Sequence, residues 1–242
     1  MSQLRLKNVG LSVLVAGLTF VASPLFAAGS SVLSNLNNLS VLSSTVPANG
    51  DINPYGLVRV PRTIGDLQAG HYLISNFNAN SNLQGTGTTI MDVSPSGVLT
   101  RFAQIDPTTV PGTCTGGVGL TTALAVLRTG WVIVGSLPTI DGTSATAHAG
   151  CLTVLDSHGK PVETISGSLI NGPWDMTALD GEHQAALFVT NVLNDTVAGN
   201  GKIVPQGTVV RVNLAVSDKR MPFLGALTGW AANSPNGQIP PP

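Results

Sequence analysis

From Asp51 onward, short apolar runs alternate with turns rich in Gly, Pro, Ser and Asn, a pattern that predicts strands joined by tight turns. One run recurs three times after a turn: Gly70–Phe77 (GHYLISNF), Gly130–Leu137 (GWVIVGSL) and Ala185–Val192 (AALFVTNV), at offsets of 60 and 55 residues. A second piece precedes each copy: Pro54–Val60, Thr121–Leu127 and Pro173–Leu179. A third follows each: Thr88–Ser94, Gly150–Asp156 and Gly207–Asn213. The turns Ser94–Gly97 and Asp156–Gly159 then lead to a fourth strand, Val98–Ile105 or Pro161–Ile165.

Four short strands repeated at 50–60 residues predict an all-β fold, a β-propeller of four-stranded blades with three blades present. One such sheet cannot bury both faces alone, so blades stack on one another. The inner strands are then apolar on both sides, as Leu73-Ile74, Val132-Ile133-Val134 and Leu187-Phe188-Val189 are. A β-sandwich with irregular spacing is the competing architecture, and three sets of matches in register favour the blades.

The expected organisation is a secretory signal at 1–28, a Ser/Asn-rich lead at 29–50, blades at about 51–110, 111–168 and 169–224, and an irregular Pro/Gly-rich tail at 225–242. Arg5 and Lys7 form a basic start, Val9–Ala22 an uncharged apolar run, and Ser23-Pro24 breaks it. Small residues then allow cleavage after Ala27 or Ala28. An uncleaved anchor is the alternative, but the run is shorter than the roughly 20 residues a spanning helix needs. The expected location is periplasmic or extracellular, with no membrane contact after cleavage.

Removing Arg5 and Lys7 from the 11 basic side chains leaves nine against 12 acidic ones, a formal charge of −3. With no basic patch, nucleic acid is not an expected partner. Export permits oxidation, so Cys114 and Cys151 are expected to form a disulfide, the alternative being two separate thiols.

In a propeller, ligands sit at the mouth of the central channel, at the ends of the innermost strands. The candidates there are Asn53, Tyr55, Asn76, Ser136, Asn171, Trp174, Asp175 and Asn191. Asn76, Ser136 and Asn191 are equivalent in the repeat, as are Tyr55 and Trp174. Asn and Asp at strand ends also satisfy local backbone, and Tyr55 and Trp174 also suit packing between blades. A carboxylate with amide oxygens suits a hard cation such as calcium, and Asp175 and Asn191 are the candidate metal ligands. None of the four histidines has a partner at metal-ligand spacing. No GxSxG, P-loop or GxGxxG sequence occurs, which removes the serine hydrolase, NTPase and dinucleotide readings.

The segments Asn53–Gly56, Ser75–Phe77, Gly85–Thr89, Gly119–Leu124, Asn171–Asp175 and Val189–Asn191 resemble the NHL-type, six-bladed propellers of exported bacterial proteins, a superfamily that includes gluconolactonase-like enzymes. The resemblance covers roughly residues 50–216. It implies a six-bladed ring, of which three blades are half. Either a homodimer completes the ring or the chain is a shortened form; the tail, resembling neither blade nor cap, favours the second. The enzymes of the group hold a cation with a Glu/Asn/Asn/Asp set. Only Asp175, Asn191 and either Asn171 or Asn76 match part of it, and no residue supplies the glutamate. The expected function is therefore a non-enzymatic exported module that binds a small molecule or a protein. The alternative is a metal-dependent lactonase-like hydrolase with a cation at the channel mouth.

Overall fold

The computed structural model describes residue 36, residues 38–181, 183–192 and 207–217, and the backbone of 223–231. The expected signal at 1–28 lies outside these. Two compact units are present, Met1–Ser40 and Val41–Pro242, and every sheet belongs to the second.

Twelve strands form three four-stranded antiparallel sheets among the described residues. The first sheet holds β1 (Ile52–Arg59), β2 (Tyr72–Asn78), β3 (Thr89–Val93) and β4 (Leu99–Gln104) in chain order. The second holds β5 (Leu120–Val126), β6 (Val132–Ser136), β7 (Cys151–Leu155) and β8 (Pro161–Ile165). The third holds β9 (Pro173–Asp180), β10 (Gln184–Asn191), β11 (Thr208–Ala215) and β12 (Phe223–Ala231). The chain is therefore all-β, with one meander of four strands for each repeat.

The sheets stack through their first strands, with β5 packed against both β1 and β9. Alternation along a strand makes this possible, because successive side chains leave opposite faces. On β5, Leu124 and Val126 enter the core shared with the first sheet, which also holds Leu73, Ile90, Val132, Val134 and Leu155. Ala123 and Ala125 turn the other way, toward Ile133, Leu152, Val154, Leu187, Val189, Val210 and Val212. Both faces of the middle sheet are thus covered, and every residue of β6 and β7 is buried.

Thr121 ties the three sheets together. Its carbonyl accepts a 2.7 Å hydrogen bond from Ser75 Oγ of the first sheet. Its own hydroxyl donates to the Pro173 carbonyl of the third at 2.9 Å. Ser75 Oγ also accepts from the Gly56 backbone N–H, so one buried hydroxyl serves two strands. At the outer side, the Arg128 N–H donates to Asp180 Oδ2 at 2.6 Å and the Trp131 indole N–H to the Ser217 carbonyl at 2.7 Å.

Cys114 and Cys151 form a disulfide with their Cα atoms 5.4 Å apart, pinning the loop before β5 to the first residue of β7.

Two boundaries differ from those expected. Residues 41–50, assigned to a lead, lie in the same compact unit as the sheets. Their low-complexity composition hides the contact, which includes a backbone acceptor: Asn76 Nδ2 donates to the Thr45 carbonyl at 2.8 Å. Residues 225–231, assigned to the irregular tail, form most of β12. Gly225 and Gly229 weaken the strand signal, and pairing with β11, from Thr208↔Ala231 to Ala215↔Phe223, recruits the segment.

Candidate functional site

The first strand of each sheet carries a register shift near the same end: between Pro54 and Gly56 in β1, between Leu120 and Leu124 in β5, and opposite Thr190/Asn191 in β9. A bulge inserts an unpaired residue and re-aims its side chain. In β1 that residue is Tyr55, since Pro54 pairs with Asn76 and Gly56 with Ser75. In β9 it is Trp174, since Pro173 pairs with Asn191 and Asp175 with Thr190. Both rings turn toward the place where the sheets meet. Tyr55 and Trp174 stand edge-to-face with centroids 5.7 Å apart, and Phe77 lies 4.5 Å from Tyr55 and 5.4 Å from Trp174. The two edge-to-face contacts of Trp174 have the separation and tilt that aromatic quadrupoles favour.

Beside this cluster lies a hollow of about 250 Å³, walled by Phe77, Leu137, Val192 and Trp174 and rimmed by Gln84, Thr139, Thr143, Ser144 and Ala147. Phe77, Leu137 and Val192 each directly follow one of the equivalent residues Asn76, Ser136 and Asn191. All three sheets therefore send the same repeat position into one space. No residue lining it is ionisable.

The rim loop is held by its own polar groups. Asp141 Oδ1 accepts hydrogen bonds from the Thr143 N–H at 3.0 Å, from Thr143 Oγ1 at 2.7 Å and from Thr146 Oγ1. These donors, Thr146 foremost and then Thr143, hold the exposed carboxyl below its ordinary value. Thr139 Oγ1 donates to the Gln84 carbonyl and accepts from the Gly142 N–H, joining the loop to Gln84 in the connection between β2 and β3.

The residues expected at the channel mouth separate into two groups. Tyr55 and Trp174 come together as described, and Trp174 lines the hollow. The polar ones do not line it. Asn76 is fully buried and donates through Nδ2 to the Thr45 carbonyl and to Thr89 Oγ1. Ser136 is fully buried, and Asn191 Oδ1 accepts from the Gly172 N–H at 3.2 Å. Asn171 accepts from the Gly150 N–H through its backbone carbonyl. Asn53 adopts φ 65° and donates through Nδ2 to Asn78 Oδ1. Asn76 Oδ1, Ser136 Oγ, Asn171 Oδ1 and Asn191 Nδ2 are buried without a hydrogen-bond partner.

Asp175 and Asn191 cannot share a cation. Asp175 pairs with Thr190, so it takes Thr190's face of the sheet, while Asn191 takes the opposite one, as alternation requires. Asp175 Oδ1 is already engaged by the Met176 N–H at 2.8 Å. Among the described residues no group of three His, Cys, Asp or Glu side chains converges.

Sequence reasoning missed Phe77, Leu137 and Val192, although the repeat alignment already placed them in register. It also missed buried Asp51, whose Oδ2 accepts from the Thr88 N–H, Thr88 Oγ1 and Thr89 Oγ1 at 2.9–3.2 Å. Another pair brought together only by folding is His71 Nδ1 and Asp92 Oδ1, 2.7 Å apart.

No protein-family model matches this chain, and no curated protein does. Among solved structures, the α-L-arabinofuranosidase Arb93A from Fusarium graminearum, in complex with an iminosugar inhibitor, is similar at a TM-score of 0.42 and 12% identity. The match covers 77% of this chain and 52% of that one, so the chain spans about half that protein's length. A likeness at this level carries no argument about fold or activity.

Proposed function

We propose that this is an exported β-propeller-type binding protein, its three sheets being blades, that holds an uncharged, largely apolar small molecule in the hollow beside Trp174. The observation that carries the reading is the convergence of Phe77, Leu137 and Val192, one from each repeat, on a single space. A site lined by no ionisable group gives a charged ligand nothing to pair with, and desolvating such a ligand there is unfavourable. An aromatic wall with a few hydroxyl and amide groups at its rim is the usual composition of a small-molecule site. The three-blade reading is supported by one four-strand meander per repeat, by bulges at one end of all three first strands, and by a middle sheet covered on both faces. Export is supported by the signal-like N-terminus, and the disulfide suits an oxidising compartment.

The hydrolase alternative has no observation in its favour, since Asp175 and Asn191 face opposite ways. Thermal shift measurements on the mature chain test both readings. Uncharged aromatic and alicyclic compounds are expected to raise the melting temperature, and Ala147→Phe, which fills the hollow, abolishes the effect. Calcium alone is expected to leave the melting temperature unchanged. Calcium stabilisation that disappears in Asp175→Ala would overturn the binding-only reading.

A further inference from the structure

Most of the residues around the hollow come from one connection. Leu137, Thr139, Gly142, Thr143, Ser144 and Ala147 all lie within residues 137–150, which join β6 to β7. The bonds to Asp141 give this rim loop its shape, but its placement is set at its two legs. On the outgoing leg, the Leu137 N–H donates to the Gly119 carbonyl at 2.8 Å and the Thr139 N–H to the Gly85 carbonyl at 3.0 Å. On the return leg, the His148 N–H donates to the Pro138 carbonyl at 2.8 Å, which ties one leg to the other. Cys151 stands at the foot of that return leg, as the first residue of β7.

Residues 114–119 lie against both legs. A Cβ on Gly119 would stand 2.9 Å from Pro138 Cα and 2.1 Å from the Gly85 carbonyl oxygen. One on Gly116 would stand 2.5 Å from His148 Cβ and 2.6 Å from the Ala149 carbonyl oxygen. The backbone of this segment is therefore a bed on which the rim loop rests. Its sequence over 112–119, GTCTGGVG, gives it little order of its own, because glycine loses the most conformational freedom on being fixed. Val118 packs at the margin of the core shared by the first two sheets, and the Gly117 N–H closes a turn on the Cys114 carbonyl at 3.0 Å. The covalent tie runs from Cys114 to Cys151.

We propose that this disulfide is a redox-sensitive clasp that sets ligand affinity at the hollow, a role that rests on the hollow being the binding site. Closed, it keeps residues 114–119 beneath the rim loop and the loop in the wall. Opened by a dithiol reductant, it frees the glycine-rich bed, and the loop holds its site-forming position only part of the time. Apparent affinity then falls by that fraction. The chemistry is thiol–disulfide exchange. A thiolate of the reductant attacks the sulfur of Cys114, the half-buried partner, and forms a mixed disulfide. Cys151, which is fully buried, leaves as a thiolate with the Thr153 hydroxyl 3.9 Å from its sulfur, and then takes a proton. The reductant's second thiolate displaces Cys114, which is protonated in turn. One S–S bond has become two thiols, and the dithiol ends as its own disulfide. The sheets outlast this step, because Val118 alone among residues 112–119 packs against either core.

The test compares the oxidised mature chain with the same chain reduced by dithiothreitol, thiol titration confirming that both cysteines are free, and with Cys114→Ser/Cys151→Ser. The readouts are affinity for N-phenyl-1-naphthylamine and the backbone amide resonances in two-dimensional NMR spectra. Reduction is expected to weaken the probe roughly tenfold, the loop then being in place about a tenth of the time. The amides of Thr143, Ala147 and His148 are expected to shift or broaden, while those of Ile90 and Val212, one in each core, stay in place. Reoxidation restores both readouts, and the Ser pair matches the reduced chain with or without dithiothreitol. A folded, reduced chain that keeps its probe affinity or its rim resonances overturns the clasp. So does loss of the folded spectrum on reduction, because the disulfide then holds up the sheets and not the rim alone. An oxidised chain that takes up no probe overturns the binding reading itself, and this proposal with it.

Discussion

Gly87 and Gly150 show what close approach within a sheet demands of single residues. A Cβ on Gly87 would stand 2.2 Å from the Asn76 carbonyl oxygen, and one on Gly150 would stand 1.9 Å from that of Ser136. Both obstacles are backbone and cannot rotate away, so Gly150→Ala is expected to cost about 3 kcal/mol or more, read as a lowered denaturation midpoint. Ser75→Ala removes the acceptor of the Gly56 N–H and the donor to the Thr121 carbonyl; about 1–3 kcal/mol of lost stability is expected in the same measurement. At this scale the sequence was legible as position but silent on which way each side chain turns. The alignment put Asn76, Ser136 and Asn191 in register, and their polarity suggested ligands. Strand alternation instead turns them into the layers between faces, and the apolar residue after each one reaches the hollow.

Local patterning exposed the strands well where both faces are buried. Val132-Ile133-Val134 is apolar throughout because the middle sheet has a neighbour on each side. It failed where an element depends on a partner. β12 contains two glycines and is held by pairing with β11, and residues 41–46 contribute the Thr45 carbonyl, an acceptor that composition does not reveal. The rim loop carries a pH signature of the same local kind. Because hydrogen bonds lower the Asp141 carboxyl below its ordinary 3.8, the stability it lends the loop is present above that value. It is lost as pH falls through the still lower folded value. Amide exchange at Thr143 is therefore expected to accelerate only on strong acidification, and Asp141→Asn to be fast and independent of pH once intrinsic exchange is corrected for. The disulfide acts on a longer segment. It closes a loop between residues 37 apart, so Cys114→Ser/Cys151→Ser is expected to lose about 2–4 kcal/mol in chemical denaturation.

For the whole molecule, the account rests on sheets that meet through their first strands and leave a space at one end. The repeat told of four strands per unit and three units. It did not tell that the bulges would turn Tyr55 and Trp174 onto Phe77, because a bulge is a property of register between strands and is not written in either strand alone. A chain with Trp131→Phe and Trp230→Phe keeps Trp174 as its sole tryptophan, a reporter in the wall of the proposed site. Titrating it with the uncharged fluorophore N-phenyl-1-naphthylamine tests the central claim most directly. The account predicts saturable loss of Trp174 emission with a matching rise in probe fluorescence, both abolished by Ala147→Phe and unaffected by Asp175→Ala. Probe binding that leaves Trp174 emission unchanged, or that survives with the hollow filled, would contradict it.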